Sequence, residues 1–143
     1  GESSRVNNAY TESVREHCRV HFQALLELAD FLDSRALGFH ERNSAERSIQ
    51  IIVEACIGLA KHCCRKAGRE VLGDAAGCAM TSLEVIGAEV IAPERLRGAI
   101  GMRNAIVHDY LNLDWRLIEQ VLREHAFLTL DDYLEAAIAF LDD

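Results

Sequence analysis

Apolar residues recur at three- and four-residue spacing along most of this chain, the period of a helix that buries one face. Over residues 8–33, Val14, Cys18, His21, Leu25, Leu28 and Leu32 form one stripe, while Arg15, Glu16, Arg19, Gln23, Glu27 and Asp30 lie mostly elsewhere. Residues 34–42 break the pattern and read as a loop. Asn43 followed by Glu46 has the spacing of a capping box. It predicts a second helix to about residue 67, burying Ile52, Cys56, Leu59 and Cys63. Gly68, Gly73 and Gly77 punctuate the next stretch, and residues 80–90 read as a short helix ended by Ile91-Ala92-Pro93. Pro93, the only proline, suits the first turn of a further helix, where its missing N–H costs nothing. Asp114 is a good N-cap for a helix over residues 115–125, with Leu117, Ile118, Val121 and Leu122 inward. Thr129, Asp131 and Asp132 restart a last helix that buries Tyr133, Leu134, Ala137, Ile138 and Leu141. No strand run or repeat stands out. The expectation is an all-α fold of five or six helices in a single domain, residues 1–143, with residues 1–7 flexible.

One helix breaks its own pattern. After Pro93, Leu96, Ile100, Arg103, Val107 and Tyr110 fall on one stripe, and a long cation is rarely left in an apolar stripe without a partner or ligand. Beside it runs a column of Arg97, Gly101, Asn104 and His108. Gly98 and Gly101 inside the helix each cost about 1 kcal/mol relative to alanine, which suggests close approach by another backbone or by a ligand. On a regular helix Arg103 and Tyr110 are nearly eclipsed, whereas His108 lies about 140° from Arg103. If Arg103 and His108 act together, either the helix loosens near His108 or two copies of it face each other.

Composition limits the alternatives. Half of the residues are apolar, enough for a real core. The formal net charge of −8 speaks against broad, non-specific nucleic-acid binding but leaves room for a local basic cleft. Such a cleft has a candidate in Lys61, Arg65 and Arg69 at the end of the second helix, together with Arg97. The same cations also fit a solvated face favoured by the helix dipole. The five cysteines form no CxxC pair and read as small buried hydrophobes. His17 and His21 share a helix face, yet two ligands are too few for a metal, and none is expected. With no signal-peptide pattern and no apolar run long enough to span a bilayer, a cytoplasmic protein that binds no membrane is expected.

Arg103, Asn104, His108 and Tyr110 form the pattern Arg-Asn-x3-His-x-Tyr. In it the chain resembles the HEPN superfamily, and within it the HepT branch. Glu46-Arg47-Ser48-Ile49-Gln50 followed by Glu54-Ala55 is similar to that branch's second-helix opening, and the likeness covers roughly residues 44–141. Met102 stands where an aromatic residue is common. The resemblance implies an antiparallel helical bundle that forms a homodimer or higher homo-oligomer and places two motifs in one cleft. It implies a metal-independent endoribonuclease toxin acting on RNA without a cofactor. It further implies a minimal nucleotidyltransferase antitoxin of the MntA type that silences the toxin by AMP transfer to the motif tyrosine, here Tyr110. Arg103 and His108 then carry over as the catalytic pair and Asn104 as the residue that positions them. The chemistry suits these roles. Histidine moves protons near neutrality, and arginine stays charged and clamps phosphate at two points. A non-catalytic accessory subunit of the transferase, binding nucleotide or partner through the same residues, is the alternative, and a purely structural helical dimer is a third.

Overall fold

A computed structural model describes residues 2–71, 73–87 and 89–143, and of residues 2–7 it describes the backbone alone. The expectation that residues 1–7 are flexible therefore falls on Gly1 and on side chains outside the described residues. The described residues form six α-helices: α1 (Glu2–Leu32), α2 (Phe39–Lys66), α3 (Ala75–Ile86), α4 (Pro93–His108), α5 (Trp115–Arg123) and α6 (Leu128–Asp142). A 3-10 turn, Tyr110–Asn112, joins α4 to α5. The described residues contain no strand, so the fold is all-α.

The core is built around α2, which packs against α1, α3, α4 and α6. That is why α2 buries residues on most of its circumference, among them Ala45, Ile49, Ile52, Val53, Cys56, Leu59 and Cys63. The α1 stripe is buried through Cys18, Phe22, Leu25, Leu28 and Leu32. Helix α6 runs parallel to α2: the Cys56 thiol faces the Leu130 carbonyl, Cys63 faces Ala137, and Lys66 Nζ donates to the carbonyl of Phe140, each pair 74 residues apart. Helix α1 runs antiparallel to α2, with Tyr10 stacked on His62 at 4.4 Å and His21 Nδ1 2.9 Å from Ser48 Oγ. All five cysteines are buried and unpaired. Burial pushes the Cys18 thiol up to about 11 and the Cys63 thiol up to about 12, so both stay protonated and act as packing groups.

Several boundaries differ from the sequence expectation. Helix α2 begins at Phe39, not at Asn43. Its first turn is fixed by Glu41, whose carboxylate accepts the Gly38 N–H at 2.8 Å and both terminal nitrogens of Arg35, each at 2.8 Å. Asn43 and Glu46 consequently lie inside the helix, and Glu46 is free for another partner. Helix α3 starts five residues earlier than expected, capped by Asp74, whose side chain accepts from the Gly77 N–H. It ends at Gly87, which takes the left-handed conformation (φ 70) that stops a helix without side-chain strain. On α5 the inward residues are Ile118 and Leu122, while Leu117 is exposed. The Asp114 cap forms as expected, accepting the Arg116 N–H at 3.0 Å.

Candidate functional site

Helix α4 is regular through His108 and stops at Asp109, whose N–H still bonds the Ala105 carbonyl at 3.0 Å while its own backbone leaves the helical region (φ −143, ψ 44). The Asp109 carboxylate then accepts from the Asn112 side-chain amide at 2.8 Å and closes the 3-10 turn. Helix geometry therefore sends Arg103 and His108 about 140° apart in one chain. Loosening of the helix before His108, one of two ways to bring the pair together, does not occur.

Tyr110 is where the single-helix picture fails. It does not continue the Arg103 stripe but leaves the helix, and its hydroxyl donates to the Glu46 carboxylate on α2, 2.9 Å from Oε2 and 3.1 Å from Oε1. Glu46 is only 8 % exposed, whereas Tyr110 is 52 % exposed. The hydrogen bond to Glu46, with smaller contributions from burial and the carboxylate charge, raises the Tyr110 phenol above its ordinary value. Arg103 faces the same side of α2, two helical turns further along. Its Nε lies 3.5 Å from Glu54 Oε1, and its Nη1 donates to Asn104 Oδ1 at 2.7 Å. At 3.5 Å the Glu54 contact is an ion pair rather than a good hydrogen bond. The buried Nε of Arg103 is left without an acceptor. Gln50 lies between the two carboxylates on α2 and donates to Glu54 at 3.1 Å.

The seam thus sets Glu46 against Tyr110 and Glu54 against Arg103, with Gln50 between the two carboxylates and Asn104 beside Arg103. The Arg103–Glu54 and Tyr110–Glu46 contacts run in opposite senses along the two helices, so α4 is antiparallel to α2. The sequence placed none of the three α2 residues in the site: Glu46 was read as half of a capping box, and Gln50 and Glu54 only as part of the helix opening. Their signal was present as a polar four-residue repeat on a helix otherwise buried on most sides.

The remaining candidates divide. His108 and Asn104 are exposed at the C-terminal half of α4, and Arg97 is exposed near its start. Lys61 and Arg65 continue the face of α2 that carries Glu54, and the antiparallel α4 brings Arg97 to about the level of Lys61. Arg69 is outside this strip and pairs with Glu84 at 3.0 Å. His17 and His21 meet edge to face, with ring centroids 5.6 Å apart. The described residues contain no group of three or more His, Cys, Asp or Glu placed to hold a metal. Among the described residues no helix is long and apolar enough to cross a membrane. Two cavities of about 420 Å³ flank the seam. One is apolar, between α4 and α5, lined by Ala99, Met102, Leu117 and Phe127 among others, and excludes Arg103, His108 and Tyr110. The other lies between α1 and α2 and reaches the seam through Glu54.

Comparison with known proteins gives a family and a shared fold. The sequence matches the family described as Ribonuclease HepT-like over residues 12–138, which takes in most of α1 as well as the later helices. No curated protein gives a significant match. Among solved structures, one described as the crystal structure of a toxin–antitoxin with AMP-PNP has a chain of the same fold, with a TM-score of 0.70 at 18 % identity, covering 89 % of this chain and 96 % of that one.

Proposed function

The chain belongs to the HepT-like ribonuclease family, and from that premise we propose that it is a metal-independent endoribonuclease toxin whose active site is the Arg103–His108 pair. The observation that carries this reading is the state of Arg103. It is a guanidinium 22 % exposed in its side chain, set between Asn104 and Glu54 with Nε unsatisfied. A buried donor without an acceptor is costly, and the planar guanidinium fork suits two oxygens of a phosphate. Cleavage of RNA requires a base for the 2′-hydroxyl, an acid for the departing 5′-oxygen and a cation for the charge that develops on phosphorus. His108 supplies proton transfer, Arg103 supplies the cation, and Asn104 holds Arg103 in register through its 2.7 Å hydrogen bond.

Because α4 stays helical to His108, one chain does not close this site. A homodimer with two α4 helices face to face sets His108 of one protomer against Arg103 of its partner. Gly98 and Gly101 suit that approach, since a Cβ at either would meet nothing of its own chain within 4 Å. Lys61, Arg65 and Arg97 extend the seam as a basic track for the RNA backbone, whereas Arg69, paired with Glu84, lies outside it. Tyr110 is the regulatory residue: transfer of AMP to its hydroxyl by a minimal nucleotidyltransferase antitoxin of the MntA type adds a bulky anion to the seam that also carries Arg103. The likeness to a toxin–antitoxin described with AMP-PNP supports a partner that handles a nucleoside triphosphate.

A metal-free assay tests the proposal. In EDTA, the wild-type chain should cleave RNA and His108→Ala should lose at least about 100-fold in rate, the scale of a general acid–base contribution. Undiminished cleavage by the variant removes His108 from the mechanism. The second reading is a non-catalytic accessory subunit of the transferase. The two carboxylates that already engage Arg103 and Tyr110 favour it, as does the net charge of −8. No cleavage by the wild type, with AMP transfer by the partner intact, would select it.

A further inference from the structure

We propose that Glu46 is the proton acceptor for AMP transfer to Tyr110, so that this chain supplies the base for its own silencing. The inference rests on the reading of Tyr110 as the site of AMP transfer and adds a residue to it. A phenol at neutral pH is protonated, and its oxygen becomes a competent nucleophile only as the proton leaves. Here that proton already has a destination. The hydroxyl lies 2.9 and 3.1 Å from the two oxygens of a carboxylate, within the reach a general base needs. Nothing local makes this pair: the residues are 64 apart in sequence, and the fold brings them together across the α2–α4 seam.

The burial of the two residues is unequal in a useful sense. Glu46 is enclosed and Tyr110 half-exposed, so the carboxylate is held within the fold while the tyrosine it binds stays accessible to a partner. The carboxylate also holds the phenol above its ordinary value. Tyr110 thus stays a neutral hydroxyl until a phosphorus atom is in place. In the step itself, Tyr110 Oη forms a bond to the α-phosphorus of a nucleoside triphosphate brought by the transferase. The bond from that phosphorus to the bridging oxygen breaks, pyrophosphate departs with the electron pair, and the hydroxyl proton passes to Glu46 and on to water. The product leaves Glu46 without its hydrogen-bond donor. A buried carboxylate deprived of its partner then favours displacement of the modified tyrosine from the seam toward the cleft.

The test uses the full chain with the partner transferase, ATP and magnesium, read by intact mass under single-turnover conditions. Glu46→Gln keeps an oxygen that can accept from the hydroxyl but cannot take its proton. At pH 7.5 it should slow AMP addition by about 100-fold or more. Its rate should then climb about tenfold per pH unit toward the ordinary phenol value near 10, a slope the wild type lacks. Circular dichroism establishes that the variant is folded. If it is not, Glu46→Asp asks the same question, since it retains the charge but draws the carboxylate back by one methylene, and a drop of about tenfold is expected. Glu46→Gln or Glu46→Asp acting at the wild-type rate, with the wild-type pH profile, overturns the role of Glu46 and leaves AMP transfer standing. Absence of AMP from the wild type, or its presence on Tyr110→Phe, overturns the AMP reading itself and this inference with it.

Discussion

Tyr110 and Glu46 form a contact whose two ends are unequally replaceable. Removing the phenol hydroxyl leaves a carboxylate that is 8 % exposed without its donor, whereas replacing both partners removes the need. Tyr110→Phe should therefore destabilise the chain by about 1 kcal/mol, at the low end of the range for a stranded buried group because Tyr110 itself is half open to water. Adding Glu46→Gln to that background should recover part of the loss. Urea titration of the two single variants and the double variant reads the coupling directly, and strict additivity would mean that the contact contributes nothing. Arg103 differs in kind. It already has Asn104 and Glu54 beside it, so its importance lies in the donor still unsatisfied rather than in holding the fold.

At the level of elements, α4 carries a cost that its own chain does not explain. Gly98 and Gly101 are exposed, and a methyl group on either would have no neighbour within 4 Å. In an isolated chain, Gly101→Ala should raise stability by about 1 kcal/mol through helix propensity. If a second copy packs on this face, the same methyl should weaken self-association. Chemical denaturation together with sedimentation at a series of protein concentrations separates the two effects. Gain in stability with unchanged association would remove α4 from the dimer interface. The boundaries of α2 and α3 show where local signals compete. Gly38–Glu41 and Asn43–Glu46 offer the same spacing, and the first prevails because Arg35 also binds Glu41. Gly87, inside the helix expected over residues 80–90, instead ends α3 in the left-handed region.

For the whole molecule, two half-buried imidazoles make stability depend on pH. His21 is held below its ordinary value by burial, then by His17 and Arg47, and His62 by burial, then by Arg65. The unfolded chain thus binds these protons first. Stability is undiminished above about pH 6.5, the unfolded histidine value, and falls as pH drops below it toward the folded values. The Glu41 carboxylate, held down to about 2 chiefly by Arg35, adds its loss only at more acidic pH, below its ordinary range. Melting temperature should decline between pH 7 and 5.5, and the decline should be shallower in His21→Gln/His62→Gln. An equal slope in both chains would show that other groups set the acid limb.

Periodicity was enough to read the all-α class, the inward faces of α1, α2 and α6, the proline start of α4 and the Asp114 cap, because each depends on neighbours within one or two helical turns. The divergence of Arg103 and His108 on one helix was legible in the same way, and Arg103, Asn104, His108 and Tyr110 stand out in the sequence as candidates. What periodicity could not carry was the course of the chain after the helix stopped. Extending the helical period to Tyr110 set it in line with Arg103, but the turn at Asp109 sends its hydroxyl to Glu46, 64 residues away. Glu46, Gln50 and Glu54 joined the candidate site for the same reason: their contacts depend on which helix packs against α2, and that is settled by packing of the whole core. From the sequence came a set of candidate residues on one helix; from the tertiary structure came which of them touch and which residue of α2 joins them, because contacts between distant segments are fixed by how helices bury their faces together and not by the spacing along any one of them.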